Sequence, residues 1–173
     1  CAGMGGGCNI GYAAVDRHTE GPAADHTALR FISDASTTDE LVVHEMSYSE
    51  LATLVRQFTN VLRLLGVGKG DRVFTIMGRV PELYVTVFGA LRNGCIVSPL
   101  FSAFGPEPLA TRINIGEASV LVTTAAIYER KIAKIRDQLR SVRHIILLDQ
   151  GVSRGDVTGT LNYRHLMASV DDD

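Results

Sequence analysis

The sequence predicts an α/β fold, a mostly parallel sheet with helices on both faces and a short β-hairpin ahead of it. Three observations predict this. From Ser47 onward, short apolar runs alternate with stretches whose apolar residues recur at helical spacing, the rhythm that lays parallel strands side by side under crossover helices. The connections are only a few residues long, so successive elements must be neighbours in space. At 173 residues and 46% hydrophobic, the chain is the size of one domain with a substantial core, and 21% charged residues keep its surface wet.

Taken in order, residues 1–8 read as a disordered glycine-rich start, or as residues added ahead of a natural start at Met4. Asn9 is placed to cap a short helix through Ala13 to Arg17, with Ile10, Ala14 and Val15 as its apolar side. Gly21 and Pro22 break it. Two β-like runs, 27–32 and 40–46, are joined by the polar stretch 33–39 as a loosely connected hairpin. Ser47, with Glu50 three residues on, forms a capping box. Leu51, Leu54, Phe58, Val61, Leu62 and Leu65 then make one apolar helical stripe. Gly66 ends that helix where a left-handed residue costs little.

A turn at 68–71 leads into a buried strand at 72–77. Pro81 opens a helix to about Asn93, stopped by Gly94. A strand at 95–99, a helix from Pro106 to about Ile115 with Gly116 as its stop, and a strand at 119–123 follow. A helix at 125–139, a strand at 143–149 and a short helix at 162–170 complete the series before the acidic residues 171–173. No repeat or linker-like tract divides the chain, so residues 9–170 are expected to form one α/β unit.

Composition excludes several classes of function. A net charge of −2 favours neither nucleic acid nor an anionic membrane. The longest apolar runs, such as 145–148, are far too short to span a bilayer, and the N-terminus lacks the basic-then-apolar order of a secretory signal. Cys1, Cys8 and Cys95 are an odd set without CxxC spacing, which fits reduced thiols in a cytoplasmic protein.

Two glycine-rich segments invite a phosphate-loop reading, and both fail it. Residues 3–7 follow no strand and precede no lysine. Residues 66–71 follow a helix and precede a strand, and Lys69 is followed by Gly70 rather than Ser or Thr. His18, His26, His44, His144 and His165 lack metal-ligand spacing, so no metal site is expected. No serine sits in a nucleophile elbow and no cysteine has an evident base partner.

Several segments, in order, resemble the AMP-forming ligase superfamily of acyl-CoA synthetases, luciferases and peptide-synthetase adenylation domains. Residues 47–51 resemble its opening helix and residues 65–73 its helix-to-strand turn. Residues 80–83, 89–94 and 119–124 continue in register, so the resemblance covers about residues 9 to 170. Phe101, Ser102, Ala103, Phe104, Gly105 and Pro106, followed by Arg112, are similar to the acetyl-CoA synthetase branch. There Phe-Gly-Gly-Phe-Ser-Pro and a later arginine occupy the corresponding place. Residues 9–18 also resemble the start of bacterial acetate–CoA ligases.

The resemblance implies the N-terminal part of an AMP-forming acetate or short-chain acyl–CoA ligase. Such an enzyme uses ATP, CoA and Mg²⁺: a carboxylate attacks the α-phosphate of ATP, and the CoA thiolate then attacks the acyl-adenylate. Carried over by position, Phe101, Ser102, Ala103 and Phe104 border the CoA nucleotide, and Arg130 meets its ribose phosphate, with Lys131 and Lys134 as alternatives in an adjacent register. Ser102 and Ala103 stand where the branch has glycines, which alters how closely the backbone approaches CoA. The same aromatic residues also serve as core packing elsewhere, and the same cations as a solvated helix face. The family's phosphate loop, adenine-site aromatic, ribose-binding aspartate and catalytic lysine have no counterpart here. No catalytic residue is therefore expected in this chain. Two other readings stand beside the ligase: a non-catalytic CoA- or nucleotide-binding module, and an adenylation domain that serves a carrier protein.

Overall fold

The computed structural model describes residues 8–34, 41–149 and 157–172. Helix α1 (Ile10–Ala14) leads through a 3-10 turn (Asp16–His18) to an antiparallel hairpin of β1 (Thr27–Asp34) and β2 (Leu41–Ser47). Helix α2 (Tyr48–Leu64) begins directly where β2 ends. Its capping box is complete: the Glu50 backbone N–H donates to Ser47 Oγ, and the Ser47 N–H donates to a Glu50 carboxylate oxygen at 2.8 Å.

The main sheet then forms from β3 (Arg72–Ile76), β4 (Ile96–Pro99), β5 (Val120–Thr124), β6 (His144–Leu148) and β7 (Leu161–Asn162). Their spatial order is β4-β3-β5-β6-β7, and every pairing is parallel. The chain steps from β3 to β4 in one direction, then crosses back past β3 to β5. That reversal makes a doubly wound sheet with a switch point between β3 and β5.

Side chains alternate between the two faces along each strand. Val73, Val120, Val122, Ile146 and Leu148 face one core, covered by α2, by α3 (Pro81–Arg92) and by α6 (Tyr163–Ala168). Phe74, Ile76, Leu121, Ile145 and Leu147 face the other, covered by α4 (Pro106–Ile115) and by residues 125–139. Both faces of the sheet are buried, as its uninterrupted apolar strands require.

Asp71 ties three strand starts together. One carboxylate oxygen accepts the Gly68 N–H at 2.9 Å, and the other accepts from the Ser119 hydroxyl and the Arg143 guanidinium, each at 2.9 Å. The Gly68 N–H, above all, holds this carboxyl below its ordinary range, with help from Ser119 and Arg143 against partial burial. Lys69 packs its stem against Gly94. The turn at 66–71 is therefore structural.

Three expectations need correction, and the acidic end gains a contact. The first helix ends at Ala14, and Ile10 lies outside its buried side at 60% exposure, whereas Gly11 and Val15 are buried. Gly11 fits there because an added Cβ would fall 2.8 Å from the Arg92 backbone nitrogen. The expected helix at 125–139 is one α-turn (α5, Ala125–Ile127), then a π-turn (Tyr128–Ile132), then a 3-10 stretch (Ala133–Gln138). The wide turn and the tight one offset each other, so Tyr128, Ile132, Ile135 and Leu139 still all reach the core. Strand β7 lies where only a short helix is expected from sequence, and Asn162 both ends it and caps α6. The backbone carbonyls of Asp171 and Asp172 accept hydrogen bonds from Asn60 and Arg56, which ties the acidic end to α2. The expectations for residues 1–7, for most of the hairpin connection and for residue 173 lie outside the described residues.

Candidate functional site

Doubly wound sheets bind ligands at the carboxyl ends of their strands, at the switch point. In register, Pro99 of β4 and Val122 of β5 both lie level with Thr75 of β3. The loop after β4 and the segment after β5 therefore rise from the same edge. The Leu100 N–H donates to the Thr75 carbonyl at 2.7 Å, and the chain then turns back, with the Phe104 N–H donating to the Phe101 carbonyl at 3.2 Å.

This turn presents Phe101 to solvent at 67% exposure. Its ring meets Phe104 edge-on, with centroids 5.7 Å apart and planes at 88°, the geometry that the ring quadrupoles favour. Phe104 packs inward against the core under α4. The Arg112 guanidinium lies 4.2 Å from the centre of the Phe104 ring, a cation–π contact.

The loop is also held from the far side. Lys131 Nζ donates to the Ser102 carbonyl at 2.6 Å and to the Phe104 carbonyl at 2.8 Å. Arg130 is the next residue back and is exposed, with its Nε donating to the Ala126 carbonyl at 3.0 Å. The two neighbouring side chains diverge, so Lys131 faces the loop and Arg130 faces solvent. The structure thus brings Phe101, Ser102, Ala103 and Phe104 together on one clamped turn and sets Arg130 on the adjoining segment. Lys131 spends two of its donors on the loop backbone. It lies within the π-turn, which sequence periodicity does not reveal. Arg79 and Gly78, exposed in the loop after β3, lie at the same edge, a position that no local sequence pattern marks.

An exposed aromatic ring, backbone amides in a turn and neighbouring cations suit a phosphorylated nucleotide. Among the described residues, no group of three or more His, Cys, Asp or Glu side chains converges to hold a metal. No helix among them is long and apolar enough to cross a membrane.

Comparison with known proteins agrees with this architecture. The model of the AMP-binding enzyme family matches residues 15–165. An acetyl-coenzyme A synthetase of Bacillus subtilis is 36% identical over 159 residues, covering 91% of this chain and 26% of that protein. A 3-hydroxypropionyl-coenzyme A synthetase of Metallosphaera sedula is 33% identical over 167 residues, covering 96% of this chain and 24% of that protein. The crystal structure of a Brucella canis acyl-CoA synthetase superposes on the whole chain with a TM-score of 0.85 at 26% identity, over 29% of its own length. This chain spans about a quarter of the length of these two curated relatives. The matched model, the relatives and the shared fold together place the chain in the AMP-binding enzyme family.

Proposed function

We propose that this chain is part of an ATP-dependent, AMP-forming ligase that joins acetate or a similar short-chain carboxylate to CoA. In this reading Phe101, Ser102, Ala103 and Phe104 line the CoA nucleotide and Arg130 pairs with its phosphate. The observation that carries it is the exposed Phe101 on a clamped turn at the switch edge, in a chain similar to proteins named as acetyl-coenzyme A synthetases. The likeness to a 3-hydroxypropionyl-coenzyme A synthetase supports a small carboxylate without restricting it to acetate. Among the described residues, exposed Cys8 and buried Cys95 are free thiols, which suits a reducing cytoplasm.

The chain's own contribution is positioning. A rigid turn that holds CoA lets its thiolate meet the acyl carbon without paying the ordering cost at the moment of reaction. Arg130 supplies a fixed positive charge to a phosphate. Mg²⁺, where bound, neutralises the ATP phosphates in the first half-reaction, and no described residue of this chain is assigned to hold it.

Two measurements test the reading. The 173-residue chain, given ATP, acetate and Mg²⁺, is expected to release no pyrophosphate above a no-protein control; release would overturn the view that the reacting groups lie elsewhere in the parent enzyme. In the full-length parent, Arg130→Ala is expected to raise the KM for CoA about tenfold, the worth of one charge-assisted contact. Adenylate formation should be unchanged. A CoA KM equal to wild type removes Arg130 from the site.

A further inference from the structure

We infer that Lys131 is a positioning residue: its ammonium group fixes the shape of the 101–104 turn and so sets the affinity for CoA without touching it. The inference rests on the CoA reading of that turn.

The geometry is specific. Lys131 is half-buried and its Nζ bridges two carbonyls of one turn, at 2.6 and 2.8 Å. A turn of this kind leaves those carbonyls pointing away from the ladder, with no strand partner. A lysine carries three donors and no acceptor, so two carbonyls of a single loop are well matched to it. The Phe104 ring is fixed separately, by Arg112 on its face and by the perpendicular Phe101 ring. Ring and backbone are thus anchored from two different elements, α4 and the segment after β5. The exposed Phe101 ring is what this double anchoring leaves outward.

The need for such a brace follows from how little else holds the loop: among the described residues its backbone makes no β-ladder bond beyond that of Leu100 to Thr75. An unbraced four-residue turn samples many shapes, and a ligand that selects one of them binds more weakly by the fraction of molecules already in it. Lys131 raises that fraction. The π-turn at Tyr128–Ile132 shifts the register locally at the residue that makes the reach, and such turns recur at functional positions.

Two experiments test it. The chain contains no tryptophan, so Phe101→Trp makes the turn its own reporter. Adding Lys131→Met to that variant should lower the fluorescence anisotropy of the indole, and adding Lys131→Arg should largely restore it; an unchanged anisotropy overturns the brace. In the full-length ligase, Lys131→Met should raise the KM for CoA about tenfold. ATP–pyrophosphate exchange with acetate should stay at wild-type rate, and Lys131→Arg should recover most of the loss. Loss of both half-reactions in parallel would mark Lys131 as merely structural and overturn the inference. If anisotropy falls while CoA KM is unchanged, and Arg130→Ala raises that KM, the turn is not what Lys131 tunes, and the inference fails. If neither Arg130→Ala nor Lys131→Met moves the CoA KM while the anisotropy still falls, the CoA reading of the turn fails and takes the affinity part of this inference with it.

Discussion

Replacing Phe58 by alanine is expected to destabilise the chain by about 3–5 kcal/mol and to lower its thermal midpoint by on the order of 10 °C. Phe58 lies in the middle of α2 and is fully buried. Its ring stacks on Tyr163 of α6 with centroids 5.6 Å apart, and burial pushes the Tyr163 phenol far above its ordinary range, so that ring stays neutral and packed. On its other side Phe58 meets α3 at Gly89, where an added Cβ would lie only 2.9 Å from a Phe58 ring carbon. One side chain therefore joins three helices over the same face of the sheet. Removing it leaves a cavity that three separately anchored helices cannot close. Circular dichroism melting of the variant checks this, and a midpoint within about 2 °C of wild type would contradict it. The Gly89 contact supplies a second check. Gly89→Ala should destabilise the wild type and cost less in the Phe58→Ala background, since the ring contact is gone while Cβ of residue 58 and the Val55 carbonyl, each 3.1 Å from the added Cβ, remain.

Much of this framework is legible in the sequence because it is set locally. Ser47 and Glu50 close their capping box within one helical turn, and the Asn9 side chain accepts the Tyr12 N–H in the same short-range manner. The stripe from Leu51 to Leu62 reads as a buried face because helical periodicity alone decides it. The parallel sheet follows from uninterrupted apolar strands alternating with helices. What escapes is set by partners far along the chain. β7 is two residues long and exists only because Leu161 and Asn162 lie beside Ile146 and Leu147 of β6. Ile10 faces outward and Gly11 inward because α3 supplies the neighbouring backbone at Arg92. No local pattern carries either fact.

The site divides in the same way. Phe101 to Phe104 are recognisable only by likeness to a family pattern; nothing in their spacing distinguishes them from core residues. The structure separates the two aromatics, one exposed and one packed inward. The cations after β5 could not be told apart from sequence, since Arg130, Lys131 and Lys134 share one basic stretch. Their division depends on carbonyls twenty-seven and twenty-nine residues before Lys131 in the chain.

Gly116→Ala is expected to cost about 1–3 kcal/mol, for a reason other than the one its place in the sequence suggests. Three helices here end in the same hydrogen-bonded stop. After α2, Gly66 donates to Arg63 and Val67 to Leu62; after α3, Gly94 donates to Leu91 and Cys95 to Ala90. In both, the glycine is the left-handed residue, at φ +67° and +80°, as this motif favours. After α4 the pattern recurs one residue out of step. Glu117 donates to Asn114 and Ala118 to Ile113, so Glu117 takes the left-handed place at φ 48°, while Gly116 sits at an ordinary φ of −81°. Backbone freedom does not explain that glycine. Space does: a Cβ on Gly116 would fall 2.3 Å from Cζ of Phe74, which is nearly fully buried in β3. Alanine must push either that ring into the core or α4 off the sheet, and α4 carries the Arg112 contact to the site loop. Glu117→Gly separates the two explanations. It relieves a left-handed side chain at a gain of at most about 1 kcal/mol, and it gives up only an exposed ion pair to Arg72 at 3.6 Å, which is worth little. Thermal melts of both variants should move in opposite directions. If Gly116→Ala melts like wild type, Phe74 has room to move and the close approach is not what keeps a glycine there.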